Sequence, residues 1–272
     1  MIENHQQEYP LPDPDMIAFS EDGRIATISL DNGQDGHWSP DFPETLEVAL
    51  RTAMKASGVR ALILTGEADS VFSHGLAPDV FAVGSKVEAA ALARQCAKTF
   101  SLLRQFKGVS IAAINGDVSD LALECAVCCD FRIAAHDAIF SISPGRYGLT
   151  PLAGATQLLP RLIGEVWAKR LMLCGERIDA KRAQHVGLVD EVADQESVYP
   201  LAIEWAKRTF VHSPDATHAT KQLIEHARMR PLETGFAAER DWLSAVLGTP
   251  DQLEGVAAVL EKRDARWQGD KS

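Results

Sequence analysis

The sequence predicts an α/β fold that gives way to a helical C-terminal part, and three observations carry that expectation. Strand-like and helix-like segments alternate as far as about residue 150, the pattern of crossover units on a largely parallel sheet. Several strand-like segments are near-continuous apolar runs, as in strands covered on both faces. Past that point the periodic segments read mostly as helices.

In chain order, residues 1–20 read as a loose lead-in, 21–200 as the α/β core and 201–272 as a helical region. Strands are expected at 24–30, 59–65, 109–114, 130–134, 138–143 and 186–192. Between them, apolar periodicity predicts helices at 42–55, 87–105 and 121–129, the last announced by Asn115-Gly116 and the capping residues Ser119-Asp120. Helices at 153–162, 166–173, 199–210, 214–227, 235–247 and 251–263 follow. The final one sets an apolar stripe of Leu253, Val256, Ala257 and Leu260 against a charged face, which fits a helix completing the core or a subunit contact. Its Lys262 and Arg263 either belong to a solvated face or reach an anionic ligand at a subunit boundary.

With 38 Asp+Glu against 27 Lys+Arg, the net charge is −11, and no Lys/Arg block offers phosphates a stripe, so no nucleic-acid partner is expected. No apolar run reaches spanning length, and the polar, Pro-containing start does not read as a signal peptide, which predicts a cytoplasmic protein with no membrane partner. Five cysteines without framework spacing read as reduced thiols. Cys125, Cys128 and Cys129 fall inside a buried helix with no second Cys pair or spaced His pair, so they read as small hydrophobes and no metal site is expected.

One charge interrupts the apolar run 121–129, and it is Glu124. A carboxylate there costs folding free energy unless it is paired or used. Either it pairs with Arg132 or another core cation, or it serves as an acid/base beside the backbone N–H of Leu121, one turn earlier on the same face.

Five ordered motifs sharpen this reading: VRALILTGEADSVFSHGLAPDV (59–80), GVSIAAINGDVSDLALECAVCCDFRIAA (108–135), FSISPGRYGLTPLAGATQLLPRLIG (140–164), ERIDAKRAQHVGLVDEV (176–192) and EGVAAVLEKR (254–263). Together they resemble the crotonase, or enoyl-CoA hydratase/isomerase, superfamily over nearly the whole chain. The resemblance implies a crotonase-like spiral of ββα turns forming two stacked sheets, a C-terminal helical trimerisation region, and a homotrimer or dimer of trimers. It also implies an acyl-CoA or related thioester as substrate, with coenzyme A entering as part of that substrate and no permanently bound cofactor. In the family, two backbone N–H groups hold the thioester oxygen as an enolate develops. Carried over residue by residue, these are Leu76, after Phe72-Ser73-His74-Gly75, and Leu121 at the start of the buried helix. Glu124 matches the first of two carboxylates with which family hydratases hold and activate water, and Lys262, His74 and Leu76 are expected near the coenzyme A part.

The sequence departs from the family at three places. Pro144 stands where hydratases carry the second glutamate, so two-carboxylate hydration is not available in its usual form and crotonyl-CoA is expected to be a poor substrate. The usual Gly-Gly-Gly before the glutamate is Asp120-Leu121-Ala122, which narrows the cleft or changes the turn; Asp120 is either a helix cap or an acid/base beside the acyl group. Asp31-Asn32-Gly33 replaces a familiar Asn-Arg-Pro near the nucleotide half of the cofactor. His74, Asp79, Arg146 and Tyr147 complete the polar candidates, and Tyr147-Gly148-Leu149-Thr150-Pro151 is similar to decarboxylating members, whose enolate forms without a second base.

The expected function is an acyl-CoA-processing enzyme that works through a thioester enolate, by decarboxylation or isomerisation rather than ordinary hydration. Two alternatives remain open. One is a coenzyme A-independent C–C bond hydrolase of β-diketones, which Trp38-Ser39 and the missing glycines resemble, with Asp120 and nearby histidines serving water. The other is a catalytically inactive subunit of the same fold.

Overall fold

A computed structural model describes residues 17–20, 23–30, 35–66, 71–82 and 85–268. Most of the lead-in (1–16) and the Asp31-Asn32-Gly33 segment lie outside the described residues. Six strands form the main sheet: β1 (Ile17–Phe19), β2 (Ile25–Leu30), β4 (Ala61–Gly66), β6 (Val109–Ile114), β8 (Phe131–Ala135) and β11 (Glu191–Ala193), adjacent in that order. All neighbours are parallel except the antiparallel β1–β2 pair. The run VSIAAI makes β6 apolar on both faces, and all six of its residues are buried.

A smaller layer completes the core. β3 (His37–Trp38) pairs in parallel with β5 (Gly75–Leu76), while β7 (Val118–Ser119), β9 (Ile139–Ser141) and β10 (Ile178–Asp179) form a three-stranded sheet. A Ser73–Val118 bridge joins the two pieces. Helices α1 (Phe42–Lys55) and α2 (Lys86–Gln105) pack on each other, and α3 (Asp120–Ala126) packs against β5, β7 and β9. That packing brings the start of α3 against β5. Then come α4 (Ala155–Met172), α5 (Ala180–His185), α6 (Gln195–Thr209), α7 (Pro214–Ala227), α8 (Leu232–Val246) and α9 (Pro250–Glu261). α6 closes the main sheet against β4, β6, β8 and β11. Large apolar side chains on the last three helices and their connections stay exposed, among them Ile224, Met229, Leu232, Leu243, Leu247 and Val259. No helix among the described residues is long and apolar enough to cross a membrane.

Long periodic segments fold as the sequence predicts: 42–55, 109–114 and 214–227 coincide with α1, β6 and α7. The strand expected at 186–192 is corrected, since only Glu191–Ala193 is extended. Ahead of it lies α5, capped by the Asp179 carboxylate on the Arg182 N–H; Gly187 (φ 84°) turns the chain, and Leu188 and Val189 donate back to the Ala183 carbonyl. α3 ends at Ala126, before the expected 129, because the N–H groups of Cys128 and Cys129 turn back onto Cys125 and Ala126. Cys96, Cys125, Cys128 and Cys129 all pack in the core.

Candidate active site

α3 carries Glu124 into the interior, where the residue is 2 % exposed. Its Oε1 accepts the Leu152 N–H at 3.0 Å, and its Oε2 accepts those of Ala153 at 2.8 Å and Ala155 at 2.9 Å. These amides lead into and open α4, where intrahelical partners are lacking. The expected pairing with Arg132 is therefore corrected. Arg132 instead donates to the carbonyls of Leu188 (2.6 Å) and Cys129 (2.9 Å) and to Asp190 (3.3 Å). Burial pushes the Glu124 carboxyl above the usual glutamate range, and the amides oppose that rise only in part.

Asp120 keeps a glycine-like turn without a glycine. Its φ of 47° lies in the left-handed region, which aspartate tolerates better than most residues. The capping reading is corrected as well: the N-cap of α3 is Ser119, which makes no side-chain cap bond, and Asp120 Oδ1 accepts the Ser143 N–H at 2.7 Å. Asp120 thus ties the helix start to the loop just before Pro144. Burial raises its pKa, against the Ser143 hydrogen bond and the positive groups nearby.

Gly75 (φ 73°) explains how β5 and α3 approach so closely. A Cβ there would stand 2.8 Å from Leu121 Cβ and 2.9 Å from the Ala122 nitrogen. Leu121 lies in the first turn of α3, where the N–H has no intrahelical acceptor. Leu76, Asp120, Leu121, Glu124, Pro144 and Tyr147 line one small cavity of about 50 Å³.

A second, polar chamber of about 250 Å³ adjoins it, with His37, Asp120 and Tyr147 lining both. His74 faces this chamber rather than the small cavity; its Nδ1 shares a 2.9 Å hydrogen bond with Ser119 Oγ, and its ring centroid lies 5.3 Å from that of His37. Burial, and then the neighbouring His37, hold its pKa below the usual histidine value. Tyr147 is 54 % exposed. Lys262 ends α9 in the left-handed region (φ 54°), is exposed and lines neither cavity. Its neighbour Arg263 is engaged by Glu254 and Glu261. Trp38 also lines neither; it is buried and stacks on Phe42 with ring centroids 4.5 Å apart. Of the features that suggested the diketone reading, Trp38 reaches neither cavity.

Sequence reasoning missed His37 and Ser143. His37 lies in the short segment Gly36-His37-Trp38, where no periodicity marks a site, and Ser143 takes part through its backbone N–H, which no side-chain pattern reveals.

Two carboxylates beside the converging ends of β5 and α3 in one small cavity suit the stabilisation of a developing oxyanion and the movement of a proton beside it. Residues 21–270 match the family described as enoyl-CoA hydratase/isomerase. The chain belongs to the enoyl-CoA hydratase/isomerase family. Within it, the chain is 32 % identical to 2,3-dehydroadipyl-CoA hydratase of Escherichia coli over 81 % of this chain and 85 % of that one. It is 34 % identical to crotonyl-CoA hydratase of Syntrophomonas wolfei over 77 % and 80 %. Among solved structures, Pseudomonas aeruginosa DspI superposes with a TM-score of 0.89 at 37 % identity, covering 96 % of this chain and all of that one. The crotonase-like α/β fold expected from the motifs is the fold observed. Membership places the chain in a family of acyl-CoA enzymes, and coenzyme A as part of the substrate is consistent with it.

Proposed function

We propose that the protein is an enoyl-CoA hydratase-type enzyme that works through a thioester enolate and takes its second carboxylate from Asp120 rather than from the position of Pro144. One observation carries the reading: Asp120 and Glu124 line the same cavity as Leu76 and Leu121, and Asp120 is anchored on Ser143, the residue before Pro144. The names of the relatives from Escherichia coli and Syntrophomonas wolfei, both hydratases of CoA thioesters, support the reaction class.

In this reading the thioester oxygen sits between the N–H groups of Leu76 and Leu121, and each donor contributes about 3 kcal/mol as charge develops on that oxygen. Glu124 Oε1 holds a single amide and keeps acceptor capacity for a water proton. The water oxygen adds at the β-carbon, Glu124 takes its proton, and the double-bond electrons move onto the thioester oxygen. Asp120, lining the same cavity, delivers a proton to the α-carbon, and the enolate returns to the thioester. The same pair serves double-bond migration. Among the described residues Glu124 has no salt bridge, and Leu121 lines the cavity beside it, which favours an enzyme over an inactive subunit. The exposed apolar side chains of α7 to α9 support a homotrimer or dimer of trimers, and Lys262, without an ion pair among the described residues, then stands free for an anionic ligand at a subunit boundary.

The test is incubation of the protein at high concentration with crotonyl-CoA in deuterium oxide, followed by mass spectrometry. Water addition with deuterium at the α-carbon, slowed by both Asp120→Asn and Glu124→Gln, is expected. Neither addition nor exchange, or an undiminished rate in Asp120→Asn, sinks the reading.

A further inference from the structure

The small cavity holds the thioester and little more: at about 50 Å³ it has room for only a few heavy atoms beyond the carbonyl. Asp120 and Tyr147 line both this cavity and the polar chamber of about 250 Å³, which offers a longer acyl group room beyond it. That chamber is a poor seat for a hydrocarbon tail. Buried there, methylene groups gain little, and the polar groups they displace from water lose hydrogen bonds.

Each of its two carboxylates already accepts a backbone amide. Asp117 accepts the Ile139 N–H at 2.9 Å and faces Arg177 at 3.7 Å, and Asp120 accepts the Ser143 N–H. Its donors are in surplus. The Arg146 guanidinium has neither a hydrogen bond nor an ion pair among the described residues, although it lines the chamber. The Tyr147 hydroxyl beside it is also without a hydrogen-bond partner among the described residues, and the Ser119–His74 pair adds a further hydrogen-bonding edge. Arg177 faces Asp117, which leaves Arg146, exposed at the chamber wall, as the guanidinium without a protein acceptor among the described residues. A planar guanidinium with free N–H groups matches a carboxylate through two parallel hydrogen bonds.

Building on the thioester reading above, we infer that the acyl group of the substrate ends in a carboxylate, bound by Arg146 in the polar chamber. The substrate class is therefore a short dicarboxylic acyl-CoA. Tyr147 stands at the passage between the two spaces and guides the chain from one to the other.

The test is calorimetric titration of the full-length protein with non-reacting saturated esters matched in chain length: glutaryl-CoA against valeryl-CoA, and adipyl-CoA against hexanoyl-CoA. The dicarboxylic ester of a pair is expected to bind at least about tenfold more tightly than its partner. Arg146→Gln should bring that ratio close to one, and Arg146→Lys should restore part of it. Equal affinity within both pairs, or a preference that survives Arg146→Gln, overturns the inference while leaving the thioester reading intact. Absence of binding by all four esters and by free coenzyme A overturns both.

Discussion

Replacing Glu124 by Gln is the most informative single perturbation of this fold, because it keeps the shape and changes only the acceptors. In the wild type one oxygen takes two amide hydrogens, from Ala153 and Ala155, and the other takes one, from Leu152. A glutamine can leave its carbonyl with the first two, but its NH2 then faces the Leu152 N–H. Two charge-assisted bonds become neutral, at about 1 kcal/mol each, and one buried donor is left unsatisfied, at about 1–3 kcal/mol. Removing a buried charge offsets part of this, so the net loss is about 2–3 kcal/mol. For a chain of this size that lowers Tm by roughly 4–12 °C in a calorimetric scan. The pH dependence has a definite sign. Because the folded-state pKa of Glu124 is raised, its contribution is fully present below the ordinary glutamate value and falls as pH rises through the raised one. The wild type should therefore exceed the variant by most at acid pH, with the gap narrowing as pH rises. A variant that melts with the wild type at every pH would refute the three-amide arrangement.

Two further predictions follow from the same region. Gly75→Ala places a methyl group against Leu121 and Ala122 at a positive φ, so it should cost about 2–4 kcal/mol by denaturant melting and remove most activity, as β5 is forced away from α3. Gly148→Ala, at φ 72° with nothing within 4 Å, carries the backbone penalty alone; equal losses in the two variants would contradict the close-approach argument. His74 has a depressed folded-state pKa, so its contribution is present above the ordinary histidine value and is lost as pH falls through the depressed one. Urea midpoints measured across that window should decline less for His74→Gln than for the wild type, and parallel curves would show that His74 does not titrate as described.

How far the sequence could be read depended on segment length and on which atoms make the contact. α1, β6 and α7 were legible because each carries a long stretch whose burial imposes one period. β3, β5, β7 and β10 have two residues each, too few for any alternation, yet β5 and β7 flank the site. The apolar run after α5 looked like a strand because burial alone does not distinguish an extended segment from a packed turn. Glu124 stood out as a charge in an apolar helix, but its partners are backbone amides of Leu152, Ala153 and Ala155, which leave no mark in side-chain chemistry. Asp120 was recognised as a departure from glycine. That it keeps the turn at φ 47° while reaching across to Ser143 depends on tertiary placement of the loop before Pro144.

The most direct test of the central claim is a double-mutant cycle on kcat/KM for water addition to crotonyl-CoA, using Asp120→Asn, Glu124→Gln and the pair. If the two carboxylates act as one unit on a bound enolate, the double variant should be about as slow as the slower single variant, as for catalytic groups that depend on each other. Losses that simply add would contradict the account, leaving Asp120 as a structural tie between α3 and Ser143 and Glu124 as the only acid/base in the cavity.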